Sequence, residues 1–238
     1  LNGIQVTIFE AQDRPGGMLA LAPAFRLPLA IVQKDVERII RLGVKIELSQ
    51  PITVPPERLL QDGFAAVYVA CGFRQDARLD IASVEGQGVF PALDLLARVA
   101  RGEKPHLGAA LVIGGGNTAM DCCRTALRLG GRDVRVTVRS PRRVMKASPW
   151  EIEDAEHEGI PIFDNHAPKA FIVENDKLKG VVFQKMKEVG IDRNGRPKLE
   201  PSGEEVFFEC DDVLMAIGQE NAFPWIERDL GLEFDEWA

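Results

Sequence analysis

Short unbroken apolar runs alternate along this chain with longer stretches in which apolar residues recur every three or four positions. That is the pattern of buried strands alternating with amphipathic helices. Strands are predicted at Ile4–Phe9, Val44–Leu48, Phe64–Ala70, Ala110–Ile113 and Val134–Val138. A later set falls at Ile160–Phe163, Ala170–Val173, Leu178–Phe183, Glu205–Phe208 and Asp212–Ile217. A helix is predicted after Pro28, where Val32, Val36, Ile39 and Ile40 share a face that stops at Gly43. Others cover Pro56–Leu60, Pro91–Ala100, and the series Ala119, Met120, Cys123 and Leu127 as far as Gly130 and Gly131. Ser148, Pro149 and Glu151 have capping-box spacing with proline at the first helical position, predicting a helix to about Glu158. A polar hairpin tip at Asp192–Gly195 and a short helix near Pro224–Leu230 complete an α/β outline. The polar run Arg101-Gly102-Glu103-Lys104-Pro105 predicts a domain boundary between about Gly102 and Leu107.

One junction in this outline carries chemistry. The strand ending at Ile113 runs directly into Gly114-Gly115-Gly116-Asn117-Thr118-Ala119, where Gly114-x-Gly116-x-x-Ala119 matches the dinucleotide fingerprint with alanine in the last place. Gly114 permits the tight turn, Gly116 lets a pyrophosphate approach the backbone, and Ala119 lets helix and strand pack closely. Free N–H groups at the helix start then face phosphate oxygens. A glycine turn that only packs is the competing reading.

The end of the next strand bears on which nucleotide is taken. Arg139, Arg142, Arg143 and Lys146 place four cations within eight residues and no acid. An NAD site wants a carboxylate there, whereas a 2′-phosphate wants cations, so NADP(H) is expected over NAD. Arg139 is nearest the strand end; a solvated basic loop is the alternative. Glu10 ends the first strand, where an acid accepts hydrogen bonds from a ribose, or is merely a solvated strand end. Gly16 and Gly17 allow close backbone approach in the loop after it. Gly218 follows a strand at the edge where open α/β sheets keep their ligands. Glu151, Glu153, Asp154, Glu156 and Glu158 read as an acidic solvated face, or as a docking surface for a basic partner.

Composition narrows the class further. With 238 residues and 45% hydrophobic content, the chain can form one large domain or two ordinary ones. A net charge of −7 argues against nucleic acid or an anionic membrane surface as the main partner. No apolar run is long enough to span a bilayer, and no secretory leader is expected. Cys71, Cys122, Cys123 and Cys210 form no C-x-x-C pair, which argues against zinc or iron–sulfur ligation here. A reducing cytoplasm is the expected location. His106, His157 and His166 show no metal-ligand spacing and are read as structural.

Glu10 followed by Pro15-Gly16-Gly17, then Phe25-Arg26-Leu27-Pro28, Gly114-Gly115-Gly116-Asn117-Thr118-Ala119-Met120-Asp121 and Ala216-Ile217-Gly218-Gln219 stand in an order that resembles one family. It is the small subunit of NADPH-dependent glutamate synthase with the related flavin half of dihydropyrimidine dehydrogenase. The resemblance implies two nested Rossmann-like dinucleotide-binding domains, an NAD(P)H domain inserted in an FAD domain. Residues 1–105 and 216–238 would be the FAD domain, incomplete in this chain, and 106–215 the inserted domain. It implies that Glu10, Gly17, Met18, Arg26, Ile52 and Gly72 line FAD. Gly114, Gly115, Gly116, Asn117 and Thr118 would hold the NADPH pyrophosphate, Arg139 and Lys146 its 2′-phosphate. Ala216, Ile217 and Gly218 would lie where the cofactors meet. The chain departs from the family pattern in lacking the first FAD glycine fingerprint, the terminal Gly-Asp stretch and the preceding iron–sulfur segment, and in having Arg139-Ser140 for paired arginines. The implied chemistry is hydride transfer from nicotinamide C4 to flavin N5 with the rings about 3–3.5 Å apart. Single electrons would then pass to iron–sulfur clusters on a partner or missing segment. A non-catalytic nucleotide-binding scaffold that has lost FAD is the alternative.

Overall fold

The computed structural model describes residues 3–72, 75–77, 79, 81, 88–193 and 195–220. Its contacts divide the chain into two compact units, Leu1–Gln75 with Gln219–Ala238, and Asp76–Gly218. In chain order the second unit is inserted in the first. The division falls at Gln75 rather than in the linker after residue 101, because the strand and helix before that linker are built into the second unit's sheet and helix layer. The helix expected near Pro224–Leu230 lies outside the described residues.

In the first unit, β1 (Thr7–Phe9) pairs in parallel with β2 (Lys45–Glu47), and α1 (Leu29–Arg41) is the crossover between them. A five-residue 3-10 turn, Gly17–Leu21, occupies the glycine loop, and α2 spans Pro56–Gln61. Of the apolar face of α1 only Val32 is buried; Ile39 and Ile40 are exposed. The strand expected at Phe64–Ala70 does not form. The segment has no regular secondary structure, and Tyr68 is 92% exposed. An apolar run becomes a strand only where a neighbour takes its backbone N–H and C=O groups. Among the described residues of this unit no strand pairs with it, although Phe64 packs edge-on against Phe9 of β1.

After β3 (Gln75–Asp76), which falls on the division, the second unit is built on β4 (Val89–Pro91), α3 (Ala92–Ala100), β5 (Ala109–Ile113), α4 (Asn117–Arg128) and β6 (Arg132–Thr137). There follow α5 (Pro149–His157), β7 (Ile162–Phe163), β8 (His166–Glu174), β9 (Lys177–Ile191), β10 (Pro197–Glu209) and β11 (Asp212–Met215), and then β12 (Gln219–Glu220), which belongs to the first unit. Five strands form a wholly parallel sheet in the order β4-β11-β5-β6-β7. The order reverses at β5, the arrangement of a doubly wound dinucleotide fold. The three long strands β8, β9 and β10 form a separate antiparallel sheet, rather than continuing the parallel one. β12 pairs with β3 in a two-stranded sheet.

Strand β5 is central because both its faces are buried. Leu111 and Ile113 join Val213 and Met215 of β11 in a core with Phe171, Val181, Phe183 and Phe208 of the antiparallel sheet. By the period of a strand, Ala110 and Val112 face the other side, where α4 packs. There Ala119, Met120, Cys122, Cys123 and Ala126 are wholly buried. His166 is structural, its ring edge-on to Phe163, Phe183 and Phe208.

α4 and α5 are joined by charge rather than by apolar contact alone. Arg124, 9% exposed, lies 3.3 Å from Glu151, 3.0 Å from Asp154 and 2.9 Å from Glu158, and Arg128 closes on Glu158 at 2.6 Å. This corrects one expectation. Glu151 is buried against Arg124 and does not complete the capping box at Ser148, which makes no side-chain cap. Glu153, Asp154 and Glu156 are exposed, as an acidic solvated face requires, while Asp154, Glu156 and Glu158 also pair with arginines of the unit. Hydrogen bonds from Arg128 and then Arg124 hold the Glu158 carboxyl down at about 2. A carboxyl with a depressed folded pKa contributes stability above its unfolded value, and that contribution is lost as pH falls through the folded one. Acid unfolding monitored by circular dichroism is therefore expected to show a loss of stability between pH 4.5 and about 2 that flattens in Glu158→Gln. Arg124→Met removes the guanidinium beside the buried Glu151 and is expected to cost about 3 kcal/mol in urea denaturation.

Candidate dinucleotide site

The carboxyl end of β5 is fixed from two sides. The Gly114 amide donates to the Thr137 carbonyl at 3.0 Å, and the Ala216 amide donates to the Ile113 carbonyl at 2.8 Å. This brings the chain after β11 so close that a Cβ on Gly114, at φ +149°, would sit 2.1 Å from the Ala216 carbonyl oxygen. A Cβ on Gly115 would sit 2.7 Å from Val138 Cγ1. Gly116 differs: its φ is −102°, and a Cβ built there meets nothing within 4 Å. The first two glycines are thus demanded by packing, and the third opens onto free space.

Gly116 is the N-cap of α4 and no side chain caps that end. Among the described residues, the amides of Gly115, Gly116, Asn117 and Thr118 have no acceptor, and all four residues are half-buried. Four donors with the positive end of a helix dipole behind them suit a diphosphate. The residues fit the group, because the space beside Gly116 is left open and no described side chain accepts from the amides.

The loop after β6 brings cations to the same turn. The Ala147 amide donates to the Gly115 carbonyl at 2.9 Å, and the Ser148 amide donates to Asn117 Oδ1 at 2.8 Å. Arg142 is spent on Glu156, and its amide donates to Asp164 Oδ2 at 2.8 Å. Arg143 is spent on Glu188 of β9. Arg139 and Lys146 are exposed and have no acidic partner among the described residues. Asp164, Glu156 and Glu188, which sort the four cations into two pairs, left no signal in sequence spacing. Ser148 was visible, but as a helix cap and not as the partner of Asn117.

Ala216 is buried against Gly114, while Ile217 and Gly218 are half-buried, the latter at φ +118°. In the first unit Glu10 stands just past β1, and its Oε1 accepts from the Gln12 amide at 2.8 Å. It borders a cavity of about 370 Å³ lined by Ile8, Gly16, Leu19, Val32 and Ile46 among others. Gly17 has open space where a Cβ would be, Met18 and Arg26 are exposed, Ile52 is half-buried in a loop, and Gly72 is exposed. These residues fit FAD in part: they offer a ribose acceptor and open backbone, but among the described residues no strand–glycine turn–helix for its diphosphate.

A doubly wound parallel sheet whose middle strand ends in an open glycine turn at a helix N-terminus is a dinucleotide-binding fold of the Rossmann type. More particularly, the chain belongs to the family described as pyridine nucleotide-disulphide oxidoreductases, which matches residues 30–238. It is 39% identical over 225 residues to the NADP(+)-dependent formate dehydrogenase subunit beta of Moorella thermoacetica, covering 92% of this chain and 32% of that one. It is 34% identical over 234 residues to a putative glutamate synthase [NADPH] small chain of Cereibacter sphaeroides, covering 92% and 56%. The resemblance drawn from the motifs accords with these relatives, of whose length the chain spans about a third to a little over a half. Its fold is similar to that of Mycobacterium tuberculosis FprA in complex with NADPH, at a TM-score of 0.76 and 17% identity, covering 98% of this chain and 66% of that one. The disulphide in the family description has no counterpart here. All four cysteines are free, Cys122 and Cys123 are buried, and burial pushes the Cys123 and Cys210 thiols up to about 12. No helix among the described residues is long and apolar enough to cross a membrane.

The contrast between neighbouring glycines is testable by stability alone. Gly114→Ala is expected to cost about 1–3 kcal/mol or more, since its φ and the Ala216 carbonyl both oppose a side chain. Gly116→Ala is expected to stay within about 0.5 kcal/mol of the unsubstituted protein in thermal denaturation.

Proposed function

We propose that this chain is the NAD(P)H-oxidising part of a flavoprotein oxidoreductase. It would pass hydride from NADPH to FAD, and electrons onward to iron–sulfur clusters of a partner subunit or further segment in the cytoplasm. The observation that carries the reading is the row of open amides at Gly115–Thr118 beside two unspent cations. Gly114, Gly115, Gly116, Asn117 and Thr118 make the diphosphate turn, Arg139 and Lys146 meet the 2′-phosphate, and Ala216, Ile217 and Gly218 take the nicotinamide end. Glu10, Gly17, Met18, Arg26, Ile52 and Gly72 are assigned to FAD, with Glu10 accepting from its ribose. The cofactors supply hydride transfer and the change from two-electron to one-electron carriage. The chain's own residues bind, orient and exclude water, so no protein acid, base or nucleophile is assigned. Support for a partner comes from relatives named as subunits of formate dehydrogenase and glutamate synthase.

A second reading, a nucleotide-binding scaffold without flavin, is supported by the lack, among the described residues, of a strand–glycine turn–helix for the FAD diphosphate. The absorption spectrum of the purified full-length protein separates the two. A yellow protein that bleaches with NADPH is expected; a colourless one that still binds NADPH means the scaffold. Calorimetric titration checks the cofactor preference. Arg139→Ala is expected to weaken NADPH roughly tenfold or more, the worth of one charge-assisted hydrogen bond, and to leave NADH unchanged. An unaltered ratio of the two affinities refutes the assignment of Arg139.

A further inference from the structure

The side chain of Asn117 is engaged by Ser148, the residue that starts α5. Its Oδ1 accepts from the Ser148 amide at 2.8 Å, and its Nδ2 donates to Ser148 Oγ at 3.4 Å. One residue earlier, the Ala147 amide donates to the Gly115 carbonyl at 2.9 Å. Two consecutive residues of the basic loop are therefore tied to two residues of the glycine turn. Lys146 is the residue immediately before them.

The rest of the loop is anchored by groups that remove cations from use. Asp164 and Glu156 hold Arg142 through its amide and its guanidinium, and Glu188 holds Arg143. Arg139 and Lys146 are left, one at each end of the loop. Arg139 directly follows Val138, which is fixed by its amide bond to the Phe163 carbonyl at 2.8 Å. Lys146 is held from before by the Met145 amide, which donates to the Arg142 carbonyl at 3.1 Å, and joined to the glycine turn through the Ala147 and Ser148 ties. A lysine side chain loses much rotamer freedom on binding an anion, and a mobile backbone beneath it raises that loss.

We infer that Asn117 is a positioning residue for recognition of the 2′-phosphate, acting through Ser148 on the backbone that carries Lys146. Its side chain does not serve the diphosphate; its backbone amide does. The inference rests on the NADPH reading above and assigns Asn117 a different task from the one its place in the glycine motif implies. A diphosphate ligand would matter equally for NADPH and NADH, which share that group. A residue that places Lys146 matters only for the cofactor carrying the extra phosphate.

The test is calorimetric titration of the intact protein, unsubstituted, N117A and N117D, with NADPH and with NADH. In N117A the ratio of NADH to NADPH dissociation constants is expected to fall roughly tenfold, with the thermal unfolding transition followed by circular dichroism as the check on folding. In N117D an acceptor for the Ser148 amide remains, so the ratio is expected to fall by less than in N117A, although the added negative charge opposes NADPH, with its extra phosphate, more than NADH. Equal weakening of both cofactors in N117A overturns the inference, as does an unchanged ratio there or a ratio lost equally in N117D. If Arg139→Ala abolishes the preference and N117A does not, this inference fails alone. If the unsubstituted protein binds neither dinucleotide, the reading beneath it fails and takes this inference with it.

Discussion

The close passage of the chain after β11 across the end of β5 is the constraint on which the site depends. The hydrogen bond from the Ala216 amide to the Ile113 carbonyl presses one backbone against another until no side chain fits at Gly114. That pressure forces the turn, the turn sets where α4 begins, and α4 begins with its amides unclaimed. Burial of β5 on both faces holds the assembly rigid, so the donors stay aimed without any cap. Pre-aligned donors bind an anion without first being ordered, which is where affinity is otherwise lost.

Electrostatics divides into two kinds in this unit. Arg124 and Arg128 on α4 are consumed by Glu151, Asp154 and Glu158, so they fix the angle of α5 and take no part in ligand chemistry. The loop after β6 is sorted in the same way at smaller scale: two arginines are spent on carboxylates and two cations are not. Ser148 belongs to both systems, since it starts α5 and also bonds Asn117. The helix that the ion network orients is therefore the one that delivers the end of the basic loop to the glycine turn.

Much of this was legible in the sequence because it is local. The apolar run at Ala110–Ile113, the glycines after it and the periodic face of α4 are neighbours in the chain and report directly on one another. The Phe64–Ala70 run was misread because its pattern records only that the segment is apolar, not whether a neighbouring strand exists to pair with it. Glu151 was misread because its capping spacing is local, while the arginine that claims it lies 27 residues earlier. The linker at 101–105 is polar and reads as a boundary, yet β4 and α3 before it pack into the same unit as β5 and α4 after it. Partners of Arg142 and Arg143 lay beyond any spacing rule, at positions 156, 164 and 188.

Amide hydrogen exchange at single-residue resolution, with and without NADPH, tests the central claim most directly. Exchange at Gly115, Gly116, Asn117 and Thr118 is predicted to slow on binding, while the already bonded amides of β5 and β11 stay as they were. Exchange at those four amides that is indifferent to a bound dinucleotide would contradict the account.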